Sequence, residues 1–293
     1  MKFFSAFQFK EFFSNLYNKA FETDVFNHSA QVAFYFSFSF FPLLLFLVSL
    51  FGLLLDSTET LRNQLLVYLA QIMPASAYEL VHKTLDEIIE TSSSGKLTLG
   101  LVVTLWSASA GMDSLRSSLN AVYRLKEDRS WWHTKLQSLV MTFLFITVVA
   151  VVLAGVASGW QAVQLLLGTM GLEITSPWLL VSIQWAAILF VMLFATGVIY
   201  SWVPCFKKFK WTWLSPGSIV AILLWILFTG GFRLYLQYFN TYNKAYGSLG
   251  AVIILMLWMY LTAMSILIGG AINSILNEMS EPSKPVRKEG LQQ

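Results

Sequence analysis

The chain has 293 residues, of which 56% are hydrophobic and only 12% charged, with a mean hydropathy of +0.63. A soluble domain carries about 25% charged residues, so composition alone excludes an ordinary soluble fold. The net charge of +3 is too small for a basic nucleic-acid surface, and a lone Cys205 excludes an intramolecular disulfide.

Residues 1–29 precede the first apolar run and are too long and too aromatic for the charged start of a signal peptide. Phe9, Phe12, Phe13, Leu16, Tyr17 and Ala20 recur at helical spacing, with Lys10, Glu11, Asn15 and Asn18 between them. That pattern predicts an amphipathic helix, either lying on the membrane face or packed against the ends of a bundle.

Six apolar runs follow: Ala30–Leu55, Leu97–Tyr123, Gln137–Leu167, Leu179–Val203, Leu214–Tyr238 and Gly247–Leu276. Each supplies roughly 20 helical residues, enough to cross a hydrocarbon core about 30 Å thick. The fold class is all-α: a polytopic membrane protein with six transmembrane helices spanning 30–277. Pro42 lies mid-run in the first span and predicts a kink, with Ser37 and Ser39 placed to satisfy freed backbone groups.

The connection Asp56–Lys96 carries amphipathic spacing on both sides of Pro74 and reads as an external helical hairpin. Glu79, His82 and Asp86 share one face of it; a solvated helix face is a better reading than a metal site. Residues 278–293 are rich in Pro, Ser and charge and are expected to form a disordered tail.

Charge placement sets the orientation. Fourteen of the 19 basic residues fall in the N-terminal stretch, the second-to-third connection, the fourth-to-fifth connection and the tail. By the positive-inside rule these alternate segments, and both termini, are cytoplasmic. Trp131, Trp132, Trp202, Trp211 and Trp213 flank the same connections, as an interfacial aromatic belt would.

The second span carries the polar groups of interest. Asp113, Arg116 and Asn120 stand at i, i+3 and i+7, on one helical face with Ser109 a turn before and Tyr123 a turn after. An ion at membrane depth is costly unless paired, and Asp113 can pair with Arg116. The stripe either lines a cavity or headgroup pocket, or caps a helix that has already left the hydrocarbon. Substitution of Asn120 by leucine is expected to abolish function without loss of expression. Arg233, with Tyr246 further on, reads as a snorkelling interfacial residue or as a cationic rim at the outer mouth.

Gly155 and Gly159 form a GxxxG pair, Gly111 a small-xxx-small pair with Ser107, and Gly247, Gly250, Gly269 and Gly270 mark the last span; all are expected to mark close helix packing. His28, His82 and His133 lie in separate segments, and no hydrolase elbow, HExxH or phosphate-binding glycine loop is present. The expectation is a protein that is not an enzyme and needs no cofactor or metal.

The run Ala33-Phe34-Tyr35-Phe36-Ser37-Phe38-Ser39-Phe40-Phe41-Pro42 resembles the first-span signature of the YihY/BrkB family of bacterial inner-membrane proteins. The segments Trp106–Met112 with Leu119–Tyr123, and Tyr246–Gly250 with Trp258–Tyr260 and Gly269–Asn273, resemble its second- and last-span signatures. The family pattern is expected to hold acidic character where this chain has Ile272 and Asn273. The resemblance implies six spans with cytoplasmic termini, a role in envelope integrity and the movement of lipid or lipopolysaccharide precursors. It also carries a historical ribonuclease BN label, which the absence of a metal centre or RNA surface in this sequence opposes. The expected partners are membrane lipids, with envelope proteins as the alternative and no nucleic acid. The competing functions are a small-solute or ion channel and a non-catalytic scaffold.

Overall fold

The computed structural model describes residues 9–54, 66–67, 70, 78–79, 82–83, 97–169, 177–206, 214–238 and 248–280. Among the described residues there are seven helices and no strand: α1 Phe9–Glu22, α2 Val25–Leu54, α3 Leu97–Val122, α4 Trp131–Thr169, α5 Pro177–Trp202, α6 Pro216–Tyr238 and α7 Ser248–Ser280. Their bounds follow the six apolar runs closely, because apolar length sets where each helix must stay in register with lipid. The largest departure is α4, which begins six residues early, at Trp131. The hairpin expected over 56–96 and the tail beyond Ser280 lie almost wholly outside the described residues.

Each helix from α2 to α7 packs on the next, and α7 closes back onto α2, making a ring of six. The core is formed by Met112, Leu115, Leu119 and Val122 of α3 against Val25 and Val32 of α2, Tyr200 of α5, and Ala263, Leu267 and Ala271 of α7. Outward faces are apolar as well. On α5, Trp178, Leu179, Val181, Trp185 and Phe190 are exposed, and only 11% of its apolar window is buried. So large an exposed apolar surface is stable only in lipid. Among the described residues four segments are long and apolar enough to cross a membrane: Trp131–Val149, Val181–Trp202, Pro216–Tyr238 and Val252–Ser280.

Local chemistry explains the helix ends. Asp24 adopts a left-handed backbone (φ 48°) between α1 and α2, and its carbonyl accepts from His28 N–H at 2.9 Å to start α2. Short polar residues tolerate that conformation best after glycine. α3 ends on Arg124 (φ 53°), with Leu125 N–H donating to the Asn120 carbonyl and Arg124 N–H to that of Ala121. This is a Schellman closure made without glycine. α6 starts at an N-cap, Ser215, followed by Pro216 at the first helical position; the Ser215 hydroxyl accepts from Ser218 N–H at 3.1 Å.

α1 is held to the bundle end. Buried Lys19 donates to Ser274 Oγ at 2.7 Å and pairs with Glu278, while Arg124 pairs with Glu22. Its opposite face leaves Phe13, Tyr17 and Phe21 exposed. The two sequence readings of α1 are thus compatible: one face on the bundle, one aromatic face turned outward.

α2 continues through Pro42. Ser37 and Ser39 do not serve the proline. Ser37 Oγ donates to the Ala33 carbonyl at 2.8 Å, while Ser39 Oγ accepts from Gly111 N–H at 3.2 Å and contacts the Ser107 carbonyl. Ser39 joins α2 to α3 instead.

Candidate functional site

The polar stripe of α3 converges with residues that follow it in the chain. Arg116 NH1 donates to Glu127 Oε2 at 2.6 Å, and Asn120 Nδ2 donates to the same oxygen at 3.0 Å. Arg129 clamps both oxygens of Glu127, with Nε on Oε1 at 2.7 Å and NH2 on Oε2 at 2.8 Å. The fork geometry is the one guanidinium offers a carboxylate. Hydrogen bonding to Arg129 lowers the Glu127 carboxyl most; burial opposes this, Arg116 adds to it, and the result is about 2 against an ordinary 4.5. Glu127 in turn holds the Arg129 guanidinium above its ordinary value.

Asp113 sits beside a second cation. Lys135 of α4 donates to Asp113 Oδ2 at 2.9 Å and to Ser109 Oγ at 2.6 Å, and lies 4.5 Å from the Trp106 ring centroid. Arg116 NH2 is 3.5 Å from Asp113 Oδ1. Asp113 and Arg116 are therefore paired, though Lys135 is the closer partner. Arg129 also donates to Gln137 of α4, whose amide donates to the Trp202 carbonyl at the end of α5. Trp131 and Trp132, both exposed, pack against each other beside this network.

Asn120 works as a bracket. It is 4% exposed, and its Oδ1 accepts from Cys205 N–H at 2.8 Å while its Nδ2 holds Glu127. Leucine there would strand both partners, and a buried donor left unpaired costs roughly 1–3 kcal/mol. Asn120→Leu is therefore expected to lower stability by about 2 kcal/mol, read as a fall in unfolding temperature in detergent. The sequence expectation of a purely functional loss is revised on this point.

Tyr123 turns away from the stripe. Its hydroxyl lies towards Asn273 of α7, and its ring packs edge-on against Phe206 at 5.1 Å. Asn273 also accepts from Gly217 N–H at 2.9 Å and donates to Ser215 Oγ at 2.9 Å, so it caps α6. Arg233 is exposed near the other end of α6, about 26 Å along the helix from Pro216. It does not join the network. Tyr246 and Gly247 lie outside the described residues.

The glycines fall as follows. Gly155 and Gly159 lie within the course of α4, and Gly250 is buried in α7. At Gly111 a Cβ would collide with the Phe36 ring; at Gly269 it would collide with the Tyr200 hydroxyl and meet the Gly217 carbonyl at 2.5 Å; at Gly270 it would meet Leu119 at 3.0 Å. The α6–α7 crossing is steadied further along by two indole–hydroxyl pairs, Trp225 with Thr262 at 3.2 Å and Trp258 with Thr229 at 3.4 Å.

Sequence reading missed Glu127, Arg129, Lys135 and Asn273 as partners. The only signal was the acidic pair Glu127-Asp128, set among Arg124, Lys126 and Arg129 in the same connection. Among the described residues no three His, Cys, Asp or Glu side chains are placed to hold a metal ion.

Long apolar helices, outward apolar faces and, among the described residues, a network of paired charges at one end of the helical ring define a polytopic α-helical membrane protein. The chain belongs to the Virulence factor BrkB family, whose model matches residues 16–291. It is 30% identical over 252 residues to the putative ribonuclease-like protein YfkH of Bacillus subtilis (strain 168), covering 85% of this chain and 89% of that one. It is 27% identical over 213 residues to the UPF0761 membrane protein IL2447 of Idiomarina loihiensis, covering 71% and 70%. No solved structure matches the chain.

Proposed function

We propose that this protein crosses the bacterial inner membrane six times, with both termini in the cytoplasm, and handles lipid or another amphiphile there in support of envelope integrity. The carrying observation is the network itself. Arg116, Arg129 and Lys135 meet Asp113 and Glu127, so three cations face two carboxylates at the end of a lipid-facing bundle. One positive charge in excess, beside the exposed tryptophans Trp131 and Trp132, suits an anionic headgroup. The excess of basic residues in alternate connections supports this orientation, in which the network faces the cytoplasm. The reading is non-enzymatic and includes no ribonuclease activity, since the sequence holds neither a nuclease motif nor a basic, aromatic-interleaved surface.

A scaffold is the second reading. It is favoured by the saturation of Asn120 and Asp113, whose polar atoms are engaged with neighbouring residues rather than turned to an open passage. The same saturation weighs against a small-solute channel, which needs a continuous polar path.

Reconstitution separates these readings. Purified protein in vesicles containing a fluorescent, headgroup-labelled anionic phospholipid is expected to speed exchange of the label between leaflets relative to empty vesicles. No acceleration, together with stoichiometric copurification of an envelope protein, would move the scaffold ahead.

A further inference from the structure

The surface of α1 is divided into three stripes. At about 100° per residue they lie roughly 120° apart. Leu16, Lys19 and Ala20 make the first, which packs on the bundle. Leu16 and Ala20 lie against the core, and buried Lys19 reaches Ser274 and Glu278 of α7. Phe13, Tyr17 and Phe21 make the second, and each is more than half exposed. Glu11, Asn15, Asn18 and Glu22 make the third, which is exposed and wholly polar. A surface helix normally sets one apolar face on its core and leaves the rest polar. On α1 the surface left over after packing is itself amphipathic.

The aromatic stripe does not end with the helix. The Tyr17 and Phe21 rings lie 4.6 Å apart centre to centre, and Phe21 meets Phe26 of α2 at 5.5 Å. Phe26, Phe34 and Phe38 follow at multiples of four residues along α2. All three are exposed, and the Phe34 and Phe38 rings lie 4.8 Å apart. The stripe on α1 therefore runs into the outward apolar surface of the bundle, which is stable only in lipid. On the polar stripe Glu22 pairs instead with exposed Arg124, just past the end of α3. Three ties hold α1 in this attitude: Lys19 to α7, Glu22 to Arg124, and the left-handed turn at Asp24 into α2.

We propose that α1 is an interfacial helix, with Phe13, Tyr17 and Phe21 seated at the headgroup–acyl boundary of the adjoining lipid leaflet and Glu11, Asn15 and Asn18 in water. Lipid fits both flanks at once. A leaflet is apolar on one side of its headgroups and aqueous on the other, and the two exposed stripes match that order. A protein docked on Phe13, Tyr17 and Phe21 would have to stop at the lipid-covered Phe26, Phe34 and Phe38 directly beside them. The aromatic stripe bears no charge, so the contact rests on apolar area rather than on attraction to anionic headgroups. The leaflet is the cytoplasmic one under the orientation proposed above. The contact stands whether the protein moves lipid or serves as a scaffold.

The test measures depth in the bilayer. Cys205 is the only cysteine of the chain, so Cys205→Ser gives a background for single labels. The bond from Cys205 to Asn120 uses the backbone N–H, which serine keeps. Tyr17→Cys, Phe21→Cys and Asn18→Cys are each labelled with a nitroxide in the full chain. The labelled proteins are reconstituted in vesicles of phosphatidylcholine alone and of phosphatidylcholine with phosphatidylglycerol. Relaxation of each label by oxygen, which concentrates in lipid, is compared with relaxation by a water-soluble nickel chelate. Labels replacing Tyr17 and Phe21 are expected to prefer oxygen and to lie about 5–10 Å below the headgroups. The label replacing Asn18 is expected to prefer the chelate, and phosphatidylglycerol should change neither result. Phe13→Cys, on the same stripe, stands in for an aromatic-stripe variant that fails to fold.

Preference for the chelate at all three positions overturns the proposal and leaves the aromatic stripe in water, open to a soluble partner. Spectral broadening at Tyr17 and Phe21 that disappears on dilution with unlabelled protein also overturns it, in favour of a second copy of the chain. Preference for oxygen at Asn18 as well overturns it in the other direction, since α1 would then be sunk in the hydrocarbon. Each outcome is independent of lipid exchange between leaflets, so this proposal and the transport reading fail separately.

Discussion

Gly269→Ala is expected to destabilise the bundle by about 2 kcal/mol or more. Two terms compete. Alanine in place of glycine inside a helix gains about 1 kcal/mol. Overpacking costs roughly 1–3 kcal/mol, and more where the obstacle is backbone rather than a flexible side-chain end. Here the added carbon would meet the Gly217 carbonyl at 2.5 Å and Ala221 Cβ at 2.8 Å, and would collide with the Tyr200 hydroxyl. That hydroxyl cannot swing away freely, since it donates to the Ile266 carbonyl at 2.7 Å. The α6–α7 crossing must open, and with it the cap that Asn273 places on α6. Gly230→Ala on α6 is the control. No described atom lies within 4 Å of a carbon added there, so it is expected to be neutral or stabilising by up to about 1 kcal/mol. Thermal unfolding of both variants in one detergent checks the pair. Equal midpoints would mean that the two helices do not cross at Gly217 and Gly269.

Glu127→Gln should lower stability by about 2 kcal/mol at neutral pH. The carboxylate joins Arg116 on α3 to Arg129, which reaches on to Gln137 of α4. Its loss leaves two guanidinium groups without their main counter-charge. The side chain is 27% exposed, so solvent softens the effect below that of a fully buried pair. The pH dependence is specific. The folded carboxyl is held at about 2, below its ordinary 4.5. Between those values the unfolded chain binds the proton first, so stability falls as pH falls through that window. The difference between wild type and Glu127→Gln should therefore be constant above about pH 5, shrink below it, and vanish near pH 2. Unfolding midpoints of the two proteins along a pH series measure it. A gap that stays constant down to the lowest pH would show that Glu127 is not the clamped group.

The helices were largely legible in the sequence. Apolar length is a local quantity, so the starts of α3 at Leu97 and α7 at Ser248 lie within a residue of the apolar runs that predict them. The spacing of Asp113, Arg116 and Asn120 was legible for the same reason, since one helix face is a matter of counting. The left-handed closure at Arg124 was not, because glycine is the usual signal and this chain has none there.

The candidate site divides along the same line. By itself the sequence determined an all-helical membrane chain with ionisable groups on one face of α3, because periodicity and hydropathy act within a single helix. Only the tertiary structure decided that Asp113 meets Lys135, that Glu127 joins Arg116 to Arg129, and that Tyr123 turns to Asn273. Those partners come from different helices and a connecting loop. Their meeting depends on how the ring closes through contacts such as Gly217 on Gly269, and no spacing along one helix encodes that closure.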